Sequence, residues 1–311
     1  MGTTAGNMTN QDALTARLRR LPKPALWALA ARLKTLGLSV TPVLAGSALS
    51  AGNDAWNGAA MAAAMLSAAS IQIGTNLWND AADAERGIDT SERLGPPRMT
   101  ALGLLAARDV RRGAFAAFLV AASAGLYLAG IGGWPIIAIG LVSLALGYLY
   151  SMGPYPLSGT PLGELLVIAF FGVTAVGGTV WLHGGTLTAQ VALAGFLTGL
   201  PAAAVLLLNN HRDRHSDARG GRRTLAILIG EGASRHTFSV LIILALGGFA
   251  FLAAPCGLAV ISLAPAAVLA LHIIRKIHRT PVSAGLNALI AMTAGFQALL
   301  LLPLFTLNFC S

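Results

Sequence analysis

Nine apolar stretches, each nearly free of charged side chains, decide what this chain can fold into. They run over about 35–52, 57–78, 114–131, 133–150, 164–182, 189–208, 237–254, 257–273 and 286–308. A helix needs about 20 mostly apolar residues to cross the hydrocarbon core of a bilayer. Charged residues make up 11% of the 311 positions, where a soluble domain carries about a quarter, so no water-facing shell of ordinary size can be built. The stretches are rich in Ala, Gly and Leu, which suits close helix packing in lipid. They lack the ten-residue alternation of a transmembrane β-barrel. The expectation is an all-α polytopic membrane protein. Residues 1–24 form a cytoplasmic arm with an amphipathic helix near Asp12–Leu21, and residues 25–311 form one bundle of nine transmembrane helices.

The net charge of +9 raises the question of nucleic acid, and the placement of the charge answers it. With the N-terminus inside and nine spans threaded, Arg17 to Lys34 precede or open the first span. Arg86 to Arg112 then fall after the second, Arg212 to Arg235 after the sixth, and Arg275 to Arg279 after the eighth. Every Lys and Arg thus lies on one side, as the positive-inside rule demands. The charge orients the protein in a cell membrane, N-terminus cytoplasmic, and no nucleic-acid partner is expected. The first 11 residues are polar, and no short apolar core with a cleavage site follows, so the first span is expected to act as its own insertion signal. Cys256 and Cys310 fall on the outer side, either as free thiols or as a pair.

The outer loops are short, with Asp54 as their only acid, whereas two inner loops are long, at 80–113 and 209–236. Long loops in compact proteins are usually functional, which places the chemistry at the inner face. There the acids recur in a pattern. Asn76, Asp80 and Asp83 share one face of a continued second helix, at i, i+4 and i+7; Asn79 neighbours them, and Asp89 follows a helix-ending Gly87. Asn209, Asp213 and Asp217 repeat the pattern at i, i+4 and i+8, with Asn210 and Arg212 interleaved.

Acids at helix ends can simply be solvated or paired with neighbouring arginines. A doubled pattern on the same side is harder to obtain that way. Two facing carboxylate clusters need cations, and oxygen-only ligands suit Mg²⁺, which binds through one or two carboxylates plus substrate phosphates. A diphosphate is the natural ligand, with Lys34, Arg93, Arg98, Arg212, Arg222 and Arg223 as candidate contacts. Charge building on a leaving diphosphate would be stabilised there, and a water-poor apolar cavity would protect an allylic cation until an electron-rich ring attacked it.

These residues resemble the UbiA-type intramembrane prenyltransferases, over about 27–306. The first site, Asn79-Asp80-x-x-Asp83-x-x-x-Gly87-x-Asp89-x-x-x-Arg93-x-Gly95-Pro96-x-Arg98, is similar to the first aspartate motif of the 1,4-dihydroxy-2-naphthoate branch of menaquinone synthesis. The second, Asn209-Asn210-x-Arg212-Asp213-x-x-x-Asp217 followed by Gly221-Arg222-Arg223, is similar to its second motif. Arg222 stands where Lys is common. Ala31 to Leu36 resembles the entry segment, with Leu33 where Pro is usual. The resemblance implies Mg²⁺ held by Asn76, Asp80, Asp83, Asn209, Asp213 and Asp217. It implies diphosphate contacts from Lys34, Arg98 and Arg212, and an aromatic acceptor as co-substrate. Ala81, Gly159 and Pro161 depart from the pattern, which leaves 4-hydroxybenzoate, homogentisate or another ring as alternative acceptors.

Glu164 opens the fifth span, either to orient or deprotonate the acceptor phenol or as a favourable acid at a helix N-terminus. Tyr150 either lines the acceptor site or belongs to an interfacial belt. His211 and His215 read as loop residues, and Trp181 and His183 as outer-interface anchors. A secondary transporter is the non-enzyme alternative. Transporters hold ionisable groups near the bilayer midplane on broken helices, whereas these acids cluster at one surface.

Overall fold

A computed structural model of the chain describes residues 10–85, 94–150 and 156–307. Those residues form helices and turns, with no strand among them. Helix α1 (Asn10–Leu18) and α2 (Lys23–Ala30) precede a break at Arg32, the one non-glycine residue with positive φ (53°) among the described residues. After the 3-10 turn Leu33–Thr35 comes α3 (Gly37–Leu49), and the α2–α3 pair is bent by 40°. Helices α4 (Gly58–Glu85) and α5 (Ala107–Gly132) form a long pair, followed by α6 (Trp134–Leu149). Then come α7 (Gly163–Ile168), a π-helical stretch (Ala169–Thr174) and α8 (Ala175–Leu182), which make one span. The remainder is α9 (Ala189–Arg212), α10 (Arg214–Arg219), α11 (Leu225–Ala253), α12 (Gly257–Ile261), α13 (Ala264–Arg279), α14 (Asn287–Leu299) and α15 (Leu302–Leu307).

Among the described residues seven helices are long and apolar enough to cross a membrane, or eight if the bent α2–α3 pair is one span; α6, with 16 residues, is a shorter apolar helix. Leu119, Leu126, Leu141, Phe251 and Val268 are exposed on the spans, and apolar side chains in such number facing outward need a lipid rather than water. Residue 18 is less free than an arm would suggest: Leu18 is buried with Leu26, Leu77, Trp78 and Met99.

The two long loops expected at 80–113 and 209–236 are shorter than the apolar stretches suggest. Helix α4 continues to Glu85 and α5 already begins at Ala107; α9 continues to Arg212 and α11 begins at Leu225. Polar residues do not end a helix when they extend it past the apolar stretch, and neither Gly nor Pro stands between Trp78 and Glu85 or between Leu208 and Arg212. Gly230 does interrupt α11, with φ 80°, a conformation open to glycine at no steric cost.

Helix α9 is the most buried of the spans and packs against α3, the α7–α8 span, α11 and α14. Its small residues allow this. A Cβ on Gly199 would lie 2.9 Å from Ile168 Cα, and one on Gly172 would lie 2.5 Å from the Gly195 carbonyl oxygen. Backbones this close exclude any side chain, the small-xxx-small rule for helices in lipid. The π-helical turn sits at this contact and turns Phe170 and Phe171 inward; such turns often mark functional sites.

At the opposite end of the bundle from the acids, His183 is buried rather than a surface anchor. Its Nδ1 accepts from the Asn57 amide (3.2 Å), its Nε2 lies 3.0 Å from Ser47 Oγ, and its ring stacks on Trp56. Nδ1 as acceptor leaves the proton on Nε2, so the ring is neutral. Trp181 is exposed and donates to the Gly132 carbonyl, 2.9 Å away. Cys256 is disulfide-bonded; Cys310 lies outside the described residues.

Gly199→Ala is expected to destabilise the detergent-solubilised protein by ~1–3 kcal/mol, the usual cost of overpacking. Gly247→Ala, whose new methyl meets open space, serves as the control. Equal thermal midpoints for the two variants would remove the close-packing account of α9. Burial lowers the pKa of His183 from its ordinary 6.5. The unfolded ring therefore takes up a proton that the folded ring refuses. Stability contributed by His183 is complete above about pH 6.5 and is lost as pH falls below that. Thermal midpoints of wild type and His183→Gln between pH 5 and 8 measure this; parallel curves would refute it.

Candidate active site

The C-terminal end of α4 and α10, the short helix that follows α9, lie at one end of the bundle, and an arginine from the loop after α10 ties them together. Arg222 donates through Nη1 to Asp217 Oδ1 (2.9 Å) and through Nη2 to both Asp83 oxygens (3.1 and 3.2 Å). The two acid clusters thus share one guanidinium, which lies 139 residues along the chain from Asp83. Burial works against the charge of Arg222, but Asp83 and Asp217 outweigh it and hold the pKa above its ordinary value. Arg98 reaches the same carboxylate from the other side, Nη2 to Asp83 Oδ2 at 2.5 Å, and also donates to the Asn79 carbonyl.

The other acids are held differently. Asp80 is buried and accepts from the amides of Met99 (3.2 Å) and Thr100 (3.3 Å) and from the Thr100 hydroxyl. It therefore fixes the loop that carries Arg98. Asp213 ends α9 and receives Arg212 in a two-point contact, Nε to Oδ1 at 2.9 Å and Nη2 to Oδ2 at 2.6 Å. Arg212 also donates to Asn287 Oδ1, and Asn287 Nδ2 donates to the Leu94 carbonyl (3.1 Å). The end of α9, the start of α14 and the segment entering the Arg98 loop are thereby joined. The face expected to run unbroken through 209, 213 and 217 bends at Asp213, where α10 starts, although the Asp217 amide still donates to the Asp213 carbonyl (2.9 Å).

Above these groups runs a cavity of about 390 Å³. Its polar end is lined by Arg32, Asn76, Asn79, Arg98, Asn209, Asn210, Arg212, Asp213, Asp217 and Arg222, with Tyr150 beside them. Its apolar part follows Ile71, Ala68, Gly140, Phe170 and Phe171 to Val43, Ala64, Leu128, Ile136 and Leu182. The α4 lining alone runs from Asn79 back to Ala64, about 22 Å of helix at ~1.5 Å per residue.

Several residues stand apart from this arrangement. Lys34 is exposed and does not line the cavity, and neither does exposed Arg223, whose amide donates to the Gly159 carbonyl (2.8 Å). That bond docks the 157–160 loop against the second acid cluster. Asn76 is buried with Nδ2 on the Ala31 carbonyl (3.0 Å) and Oδ1 taken by Gln72 (3.3 Å), so its amide fastens α4 to the end of α2. Asp89 and Arg93 lie outside the described residues. His211 is buried on α9 rather than in a loop. Two contributors escaped the sequence reading. Arg32 is visible there only as an orientation charge, and Asn287 carries no spacing that links it to either cluster.

Among the described residues no three His, Cys, Asp or Glu side chains gather as a ready-made metal cage. Asn79, Asn209, Asn210, Asp213 and Asp217 bring side-chain oxygens to the cavity lining. Asn79 Oδ1 is buried and has no hydrogen-bond partner. An orphaned hard oxygen beside carboxylates fits a cation that takes few protein ligands and completes its shell with phosphate and water, as Mg²⁺ does.

Residues 39–307 match the UbiA prenyltransferase family. A 1,4-dihydroxy-2-naphthoate octaprenyltransferase of Mycobacterium tuberculosis is 34% identical over 223 residues, 71% of this chain and 75% of that protein. One of Haemophilus influenzae is 31% identical over 225 residues, 70% of this chain and 73% of that protein. Among solved structures, a UbiA homolog from Archaeoglobus fulgidus bound to GPP and Mg²⁺ aligns with TM-score 0.61 at 12% identity, covering 89% of this chain and 99% of that one. The apo UbiA homolog from Aeropyrum pernix K1 gives 0.63 at 15%, covering 86% and 96%. A helical membrane bundle with two aspartate motifs drawn to one arginine, matched to this family over most of its length, is a prenyltransferase of the UbiA family.

Proposed function

We propose that the protein transfers a prenyl chain from a prenyl diphosphate to 1,4-dihydroxy-2-naphthoate in a Mg²⁺-dependent reaction at the cytoplasmic side of the cell membrane. In this reading the chain crosses the membrane nine times, with α2–α3 and α6 counted as spans and the N-terminus inside. One observation carries the chemistry: a single cavity joins a cluster of acids and arginines to a long apolar channel. A prenyl diphosphate has that same division, a polyanionic head on a hydrocarbon tail. The relatives named for dihydroxynaphthoate support the choice of ring.

Charge balance supports the metal. Asp80, Asp83, Asp213 and Asp217 face Arg32, Arg98, Arg212 and Arg222, so the protein's own charges at the polar end nearly cancel. A diphosphate adds several negative charges that nothing there offsets. Mg²⁺ bound through Asn79, Asn209, Asp213 and Asp217 would supply the missing positive charge and stabilise the leaving diphosphate, while Asp83 holds Arg98 and Arg222 at the site. Arg98, Arg212 and Arg222 donate to the diphosphate oxygens, and Asp80 holds the Arg98 loop in place.

The allylic C–O bond breaks and its electrons leave with the diphosphate. The cation that remains lies among Phe170, Phe171 and aliphatic walls, where water is excluded. The electron-rich ring then attacks through its carboxyl-bearing carbon, and the carboxylate departs as CO₂, which restores aromaticity.

Asp83→Asn and Asp217→Asn are each expected to lower kcat by at least ~100-fold, the scale of losing one electrostatic stabiliser, with membrane insertion unchanged. Retained turnover in both would reject the site. Chelation should abolish transfer, and added Mg²⁺ should restore it. Mass spectrometry of products from dihydroxynaphthoate, 4-hydroxybenzoate and homogentisate with one prenyl diphosphate tests the acceptor: turnover of another ring but not of the naphthoate overturns the branch assignment.

A further inference from the structure

Glu164 is 5% exposed at the second residue of α7. Its Oε1 accepts from Asn210 Nδ2 at 2.9 Å, and its Oε2 is buried with no hydrogen-bond partner. Close approach of the two helices makes this reach possible: a Cβ on Gly163 would sit 3.1 Å from Leu206 Cδ2, one turn before Asn210. A buried carboxylate oxygen left without a donor costs free energy. The position therefore calls for a purpose beyond fastening α7 to α9, which the glycine contacts of α9 already do.

The side-chain amide of Asn210 has two unlike ends, and an accepting carboxylate oxygen takes only the NH₂ end. Asn210 lines the cavity, and its Oδ1 makes no hydrogen bond among the described residues. Pinning Nδ2 on Glu164 leaves Oδ1 as the end available to a ligand. That end accepts. A diphosphate near neutral pH offers almost no donors, and a carbonyl oxygen backed by a carboxylate repels it. A ring hydroxyl is a donor and fits.

We propose that Glu164 is a positioning residue that fixes the Asn210 amide so that Asn210 Oδ1 receives a hydroxyl of the aromatic acceptor, making this pair the determinant of hydroxylated over plain rings. The inference rests on the reading that the protein prenylates an aromatic ring. It assigns Glu164 no proton transfer; Glu164 acts through Asn210, and Asn210 meets the substrate.

The test uses the full chain in detergent or nanodiscs, with geranyl diphosphate as donor and dihydroxynaphthoate as acceptor. Inhibition constants are measured for 1-hydroxy-2-naphthoate, 4-hydroxy-2-naphthoate and 2-naphthoate. In wild type, at least one hydroxylated competitor should bind about tenfold tighter than 2-naphthoate, the discrimination one hydrogen bond gives. In Glu164→Leu that ratio should fall towards one while KM for geranyl diphosphate stays put. Glu164→Gln should keep part of it, because its amide oxygen can still accept from Asn210. Asn210→Leu should lose the ratio as Glu164→Leu does, and it serves if Glu164→Leu does not fold.

An unchanged ratio in an active Glu164→Leu or Asn210→Leu variant overturns the proposal. So does a wild type that does not distinguish the competitors, or a parallel rise in KM for geranyl diphosphate or in the Mg²⁺ requirement, which would put Asn210 at the diphosphate end. Absence of transfer to any ring by wild type refutes the functional reading instead, and the two failures are thereby distinct.

Discussion

The site depends on one partly buried guanidinium placed between two buried carboxylates from different parts of the chain. Arg222 reaches Asp83 and Asp217 within 3.2 Å, and both acids are buried. Desolvating such groups costs several kcal/mol per ion, and their mutual attraction repays it only when geometry and hydrogen bonds are good. Asp83 has more than one donor, because Arg98 joins Arg222 there. The ion triad therefore contributes little net stability to the bundle, and removing one member would strand a buried charge. Its effect is positional. It holds the end of α4 against α10, the short helix that follows α9.

The apolar half of the cavity follows from a different constraint. Helix α9 carries glycines where the π-helical turn approaches it, and the backbones come within contact of one another. That contact closes one wall and turns Phe170 and Phe171 inward. Lipid supplies no hydrophobic force between helices, so van der Waals fit of this kind is what holds the walls. The polar end is thus shaped by ion pairing and the tail end by glycine packing. Each can change without unmaking the other.

Much of this was legible in the sequence, for physical reasons that differ by feature. Apolar length marks a span whatever its neighbours do, so the helices appear where 57–78 and 189–208 place them. Their ends were less legible, because α4 and α9 run on past the apolar stretch into charged residues. The repeated Asn-x-x-x-Asp spacing found both acid clusters, since helix periodicity converts spacing into a shared face. It did not show which partner each acid takes. Asp80 looks equivalent to Asp83 in sequence, yet one organises a loop and the other meets two arginines. Such differences depend on residues like Thr100 and Asn287 that come near only after folding. Lys34 and Arg32 illustrate the same limit: the left-handed turn at Arg32 directs one to the cavity and leaves the other exposed, and spacing alone cannot choose between them.

The polar end has nearly as many arginines as acids, and that near-neutrality is itself informative. A site built only to bind a polyanion would carry a clear excess of positive charge, and it would hold the diphosphate product as firmly as the substrate. Under the proposed chemistry, acids that offset the arginines would weaken direct binding and make tight binding conditional on a divalent ion. The charge released on C–O cleavage would fall on groups that bind strongly only while the metal is present. Product would then depart as that assembly loosened, rather than against the full attraction of four uncompensated arginines.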